Sequence, residues 1–206
     1  MKYIKTIFLL LSTFLFISCG ENTKNQITPD IISINIDDAN TTTYSTDAVI
    51  NLNATVTYDD QTSLDTTDFV NWSSSNDSIN IINGQYYAIS NGGESNISIN
   101  YEHFSDSVSV KVYGLKEGTL VISSADINTT GVHTLEAQGE FIDIDTNTTM
   151  DTNRTIIKNI VWSVDEDSDA VITIEDDIVT IEINAGDTNV TATVFDMNVT
   201  KTYFIN

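Results

Sequence analysis

Apolar and polar residues alternate one by one through much of this chain. Ile32-Ser33-Ile34-Asn35-Ile36, Leu52-Asn53-Ala54-Thr55-Val56, Ile97-Ser98-Ile99 and Val108-Ser109-Val110-Lys111-Val112 all read with a period of two. Successive side chains of a strand point to opposite faces, so each run buries one face and wets the other. A helix would need apolar residues at i, i+3 and i+4, and strict alternation excludes them. The chain is therefore expected to be all-β. Polar positions are filled by Asn, Asp, Thr and Ser, which suit turns and strand faces.

The two Trp residues set the repeat. Val70-Asn71-Trp72-Ser73-Ser74-Ser75-Asn76 is echoed by Ile160-Val161-Trp162-Ser163-Val164-Asp165, 90 residues later. A first unit reads as strands at 32–36, 49–58, 69–73, 79–81, 85–90, 96–101 and 107–113. Asn83-Gly84 and Asn91-Gly92-Gly93 supply turns. Within 85–90, Tyr87 and Ile89 are expected to share the buried face. Seven short strands at this spacing suit a sandwich. In the second unit Leu135-Glu136-Ala137-Gln138-Gly139 stands where Leu52-Asn53-Ala54-Thr55-Val56 stood, 83 residues earlier. About seven residues have thus been inserted before Trp162, and they fall in a polar stretch, 143–154, expected to be a loop. Further strands read at 118–123, 160–163, 171–174, 178–183, 189–195 and 198–205. The boundary at Tyr113-Gly114-Leu115-Lys116 is short, so the two units should form a stiff rod.

Val70-Asn71-Trp72-Ser73-Ser74-Ser75-Asn76, followed by Ile79, Ile81, Asn83-Gly84, and Gly92-Gly93 ahead of Ile97-Ser98-Ile99, resembles the bacterial immunoglobulin-like domain, group 2. Leu52-Asn53-Ala54-Thr55-Val56 also fits that family's strand pattern. The resemblance covers nearly all of the first unit. It is looser in the second, where Val164-Asp165-Glu166-Asp167 replaces the Ser-rich turn. It implies two tandem immunoglobulin-like β-sandwiches, domain 1 over 27–113 and domain 2 over 114–206. Members of that family occur in surface adhesins, cell-wall and periplasmic proteins, and as spacers beside enzymes.

The first residues carry an address. Lys2 and Lys5 precede an apolar run, Thr6 to Ile17, too short for an ordinary spanning helix, so residues 1–18 read as an export signal. Leu15-Phe16-Ile17-Ser18-Cys19-Gly20 resembles the lipobox of bacterial lipoproteins, with Phe16 where that pattern prefers Leu. Cys19 is the single Cys of the chain, and lipidation accounts for a lone Cys in an exported protein. Acyl chains on Cys19, palmitate among them, would hold the chain to a membrane, two or more of them firmly. Residues 19–26 would then be a lipid-anchored tether. The expected place is the cell envelope, at the outer membrane or cell surface.

The net charge is −22, from 30 acidic and 8 basic residues. A field of that sign repels nucleic acid and anionic headgroups, so no nucleic-acid partner is expected. Catalytic chemistry finds little support. His103 and His133 lie in different units, neither beside a Ser and an acid in triad order, and no G-x-S-x-G is present. Two distant His and one Cys do not make a zinc site. No Gly-rich loop follows a strand and opens a helix.

Three features remain. Asp143, Asp145 and Asn147 begin like a calcium loop, with oxygen ligands at alternate places. Thr148 then stands where Gly is wanted and Arg154 where the bidentate Glu belongs. They are either solvated loop carboxylates or a weak calcium site; no other cofactor is expected. Second, Asn40, Asn96, Asn128, Asn147, Asn153, Asn189 and Asn198 each head an Asn-x-Ser/Thr triplet with an acid two places earlier. This resembles the extended acceptor motif of bacterial periplasmic N-glycosylation, and most of the seven fall in expected turns. A chain rich in Asp, Asn and Thr also generates such pentads freely. Third, Tyr86, Phe104 and Tyr113 are expected to be exposed aromatics. The reading is a non-enzymatic exported lipoprotein, a structural or adhesive surface module that binds a protein or glycan. Its alternatives are a periplasm-facing accessory subunit of an envelope complex, or a calcium- or carbohydrate-binding module.

Overall fold

The computed structural model describes residues 28–37 and 41–205. The expected export signal, Cys19 and Asn40 lie outside these residues. Among the described residues every regular element is a strand, and no helix is long and apolar enough to cross a membrane.

The first domain contains β1 (Ile31–Asp37), β2 (Thr42–Tyr44), β3 (Ile50–Asn51), β4 (Asn53–Tyr58), β5 (Ser63–Asp65), β6 (Asn71–Ser74), β7 (Ile79–Ile82), β8 (Gln85–Ala88), β9 (Gly93–Tyr101) and β10 (Phe104–Leu115). β3 and β4 are one run interrupted at Leu52. The first part pairs with β8 and the second with β1 and β5. One layer therefore runs β1, β3/β4, β8, β7. The facing layer is β6, β9, β10, with β2 added parallel to β10. Two such layers, with a Trp on the first strand of the second, are the immunoglobulin-like arrangement.

The second domain repeats it with β11 (Val121–Ile122), β12 (Gly131–Leu135), β13 (Ala137–Asp143), β14 (Thr148–Thr155), β15 (Ile160–Val164), β16 (Val171–Glu175), β17 (Ile178–Ile183), β18 (Thr188–Val194) and β19 (Met197–Tyr203). Here β12/β13 is the split strand. One layer is β11, β12/β13, β17, β16 and the other is β15, β18, β19. Trp72 sits on β6 and Trp162 on β15. The alternation read from the sequence buries Leu52, Ala54, Val56, Ile97, Ile99, Val110 and Val112 in the first core. Ala137, Phe141, Ile181, Ile183, Val190, Ala192 and Val194 lie in the second. The cores divide between Val112 and Leu115.

Several sequence expectations are corrected. Residues 143–154 are not a loop: after a four-residue turn they form most of β14, which pairs with β13. Most of its residues are exposed, so no face is buried to write an alternation into the sequence. Tyr87 and Ile89 do not form the buried face of β8. Tyr86 and Ala88 do, because the two-residue turn at Asn83-Gly84 pairs Ile81 with Tyr86 and Ile79 with Ala88. Tyr86, expected outside, is thus fully buried, and Phe104 and Tyr113 are half-buried. Burial first, then the charge of Asp47, pushes the Tyr86 phenol up to about 12. Of 118–123 only Val121–Ile122 pairs, while β2, β5 and β12 appear where no strand was expected.

Candidate functional site: the domain junction

The chain's polar chemistry concentrates where the two sandwiches meet. β10 passes its last two residues into the second domain. Gly114 and Leu115 pair with Ile142 and Phe141 of β13, so a single sheet runs β6, β9, β10, β13, β11 across the boundary. Close approach is the condition for this. A Cβ on Gly114 would lie 2.4 Å from the Asn91 carbonyl oxygen and 2.8 Å from Cγ2 of Ile144. Leu115 then enters the second core, where it is 2% exposed. A Cβ on Gly139 would meet its Cδ1 at 2.2 Å. Gly139 is the counterpart of Val56, so Leu115 fills the space that a Val side chain fills in the first domain.

Side chains hold the two halves. Asn91 clamps Leu115: its Oδ1 accepts the Leu115 N–H at 2.7 Å and its Nδ2 donates to the Leu115 carbonyl at 2.8 Å. Asn159 Nδ2 donates to the carbonyls of Ser45 and Ala88 at 2.7 and 3.0 Å, and the Lys158 N–H donates to the Thr46 carbonyl at 3.1 Å. Arg154, on β14, reaches Asp47 at 2.7 Å and lies 3.8 Å over the ring of Tyr44. Tyr44 in turn packs edge-on against Phe141 with ring centroids 5.4 Å apart. Asp47 is pre-set by the Tyr44 N–H, which donates to its other oxygen at 3.2 Å. Cation–π and charge-assisted contacts of this kind gain from partial burial.

The expected calcium ligands belong to this junction. Lys111 of β10 places its Nζ 2.7 Å from Asp143 and 3.8 Å from Asp145. Asn147 is the turn residue of the β13–β14 hairpin, with φ 56° and its N–H donating to the Asp143 carbonyl. A lysine from the first domain thus supplies positive charge to the two carboxylates. No group of three or more His, Cys, Asp or Glu among the described residues is placed to hold a metal. Millimolar calcium is expected to leave the melting temperature unchanged; a rise on calorimetry would contradict this.

Each Lys and Arg among the described residues is in an ion pair: Lys111 with Asp143, Lys116 with Glu140, Arg154 with Asp47, Lys158 with Asp177 and Lys201 with Asp126. Two of these pairs bridge the domains. The hydrogen bond from Lys111 holds the Asp143 carboxyl below the usual carboxylate range, and those from Lys116 and Thr149 do the same for Glu140. Carboxyls with depressed folded-state pKa values stabilise above the unfolded value, near pH 4, and that contribution is lost as pH falls through the folded value. The melting temperature should therefore fall as the pH drops below about 4. In Lys111→Met it should be lower at neutral pH and fall less steeply on acidification. An unchanged acid limb in that variant would remove Asp143 from the account.

The expected acceptor asparagines are dispersed. Asn128 lies in an exposed loop and Asn147 in an exposed turn, whereas Asn96, Asn153, Asn189 and Asn198 lie on strands. The expectation that most occupy turns is thus corrected, since the strands extend over them. Asn189 is also engaged, donating to Asp165 at 2.6 Å and accepting from Thr202. His103 stacks beside Phe104, and His133 shares a hydrogen bond with the Thr129 carbonyl. The two are in separate domains and assemble no triad. Sequence reasoning missed Asn91, Asn159, Asp47 and Arg154. Their one local signal was the scarcity of cations, which makes each Lys or Arg outside the export signal worth placing.

No family model matches the chain, and no curated protein matches it in sequence. Solved structures similar to it include S-layer protein SbsC domains 4 and 5, at 13% identity over 85% of this chain and 98% of that one, with a TM-score of 0.34. Against a longer SbsC crystal structure the chain spans 28% of its partner's length. Sidekick-1 immunoglobulin domains 1–5 are similar at 8% identity over 85% of this chain and 39% of that one, with a TM-score of 0.39. Invasin, a bacterial integrin-binding protein, is similar at 14% identity over 87% of this chain and 41% of that one, with a TM-score of 0.31.

Proposed function

We propose that this chain is an exported, non-enzymatic lipoprotein: a stiff two-domain module that stands on a membrane and presents an acidic surface to a protein or glycan. The anchor is Cys19, lipidated after removal of residues 1–18, with residues 19–26 as tether. The observation that carries this reading is the junction. One sheet crosses it, and ion pairs and side-chain clamps hold it, which is the construction a spacer needs and a flexible linker lacks. Because the cations among the described residues are all ion-paired, the surface of the two domains repels anionic lipid and offers contact through carboxylates, edge strands and loops. Of the acceptor-like asparagines described, Asn128 and Asn147 are the ones a modifying enzyme reaches most readily on the folded chain. An intact mass equal to bare polypeptide plus lipid would remove glycosylation.

Two measurements test the reading together. Cys19→Ala should move the protein from the membrane fraction to the soluble exported fraction. Protease added to intact cells should cut the wild type. Membrane retention of Cys19→Ala would overturn the anchor. Protection until the outer layer is broken would overturn surface presentation and turn the search to an envelope complex inside it.

A further inference from the structure

We propose that Asn91 is a self-modification site which the closed domain junction guards: when the junction opens, Asn91 deamidates and the two domains stay uncoupled. The inference rests on the locked junction, and on neither the anchor nor surface presentation. Asn91 is followed by Gly92, and Asn-Gly occurs in this chain only here and at Asn83-Gly84. The dipeptide is chemically labile, because a glycine has no Cβ to keep its backbone nitrogen away from the preceding side-chain amide. At residue 92 the fold demands the glycine. Its φ is 99°, and a Cβ there would stand 2.9 Å from the Gly114 nitrogen and 3.0 Å from the Val112 carbonyl oxygen. The close approach that carries β10 across the boundary therefore puts a labile dipeptide at the clamp itself.

The closed junction withholds both reactants. Asn91 Oδ1 accepts from the Leu115 N–H at 2.7 Å and from the Ser45 hydroxyl at 3.3 Å, while its Nδ2 donates to the Leu115 carbonyl at 2.8 Å. Gly92 is buried, and its N–H donates to the Ser90 carbonyl at 2.8 Å. Opening frees the Asn91 side chain to swing back over Gly92. The Gly92 nitrogen then loses its proton to water and bonds to Asn91 Cγ, the Cγ–Nδ2 bond breaks, and ammonia leaves. Water opens the resulting five-membered imide at either carbonyl, leaving aspartate or isoaspartate at residue 91. Neither product carries Nδ2, so the Leu115 carbonyl has lost its donor and the clamp does not re-form. Local openings of this kind precede global unfolding wherever few contacts must break. Asn83 is the internal control: it sits exposed in a hairpin turn of the first domain, with φ 48°.

The test is peptide mass mapping of the full chain aged in mildly alkaline buffer, which reads amide-to-acid conversion separately at Asn83 and Asn91. Folded wild type should convert Asn91 at least about tenfold more slowly than the same chain in urea. Asn159→Ala removes the side chain that bonds the Ser45 and Ala88 carbonyls across the junction. It should speed Asn91 about tenfold and leave the Asn83 rate in place. The chain converted at Asn91, separated by its added negative charge, should melt in two transitions. Conversion of Asn91 at its urea rate in the folded wild type would overturn the locked junction and the proposal together. Protection that Asn159→Ala leaves intact, or equal acceleration at Asn83, would overturn the proposal while the junction stands. A single melting transition in the converted chain would overturn the uncoupling.

Discussion

Gly139→Val lowers the melting temperature by about 6–12 °C, corresponding to about 3 kcal/mol of overpacking in a cooperative unit of this size. The position looks permissive in the sequence, because its counterpart in the first domain is Val56. It is not, because Leu115 already stands 2.2 Å from where the new Cβ would sit. Leu115→Ala alone should cost about 2–5 kcal/mol as a core cavity. The double variant, in which Val occupies the space Leu115 leaves, should cost less than the sum of the two by more than about 1 kcal/mol. Additive losses in calorimetry would mean that Leu115 does not fill the place of Val56.

Asn91→Asp separates the two domains thermally. The substitution is isosteric, so packing is unchanged and the Leu115 N–H keeps its acceptor. The Leu115 carbonyl loses its donor and faces a carboxylate oxygen in place of the Nδ2 that stood 2.8 Å away. An unmet, part-buried polar pair of this kind costs about 3 kcal/mol. The wild type should unfold in one transition and Asn91→Asp in two. At a pH low enough to protonate the new carboxyl, its O–H can donate to the Leu115 carbonyl, so acid should partly restore the coupling. A single transition in the variant at neutral pH would mean that the clamp does not couple the domains.

These effects follow from parts of the fold that were unequally legible in the sequence. The alternation of Leu52, Ala54 and Val56, or of Ile97 and Ile99, names the buried face because one face alone is wet. The Trp echo names the repeat because both indoles occupy the same strand of the same layer. The turn at Asn83-Gly84 was legible too, and it contains the missed register. A two-residue turn forces Tyr86 opposite Ile81, which places the ring inside. β14 was illegible because Thr148 to Thr155 is held by backbone pairing to β13 and by Arg154 reaching Asp47, with little apolar burial of its own. The junction was illegible for a related reason. Asn91, Asn159 and Lys111 are ordinary polar residues until the chain returns, 24 to 114 residues away, to supply their partners. No local pattern records a partner at that separation.

A junction locked in this way makes the two sandwiches move as one body. Paired nitroxides at Ser105 and Glu182, exposed positions in the first and second domains, placed in a Cys19→Ser background, measure it directly by pulsed dipolar spectroscopy. The expected result is one narrow distance distribution that broadens in Asn91→Asp. A broad distribution in the otherwise unaltered protein would contradict the locked junction, and with it the reading of this chain as a stiff spacer.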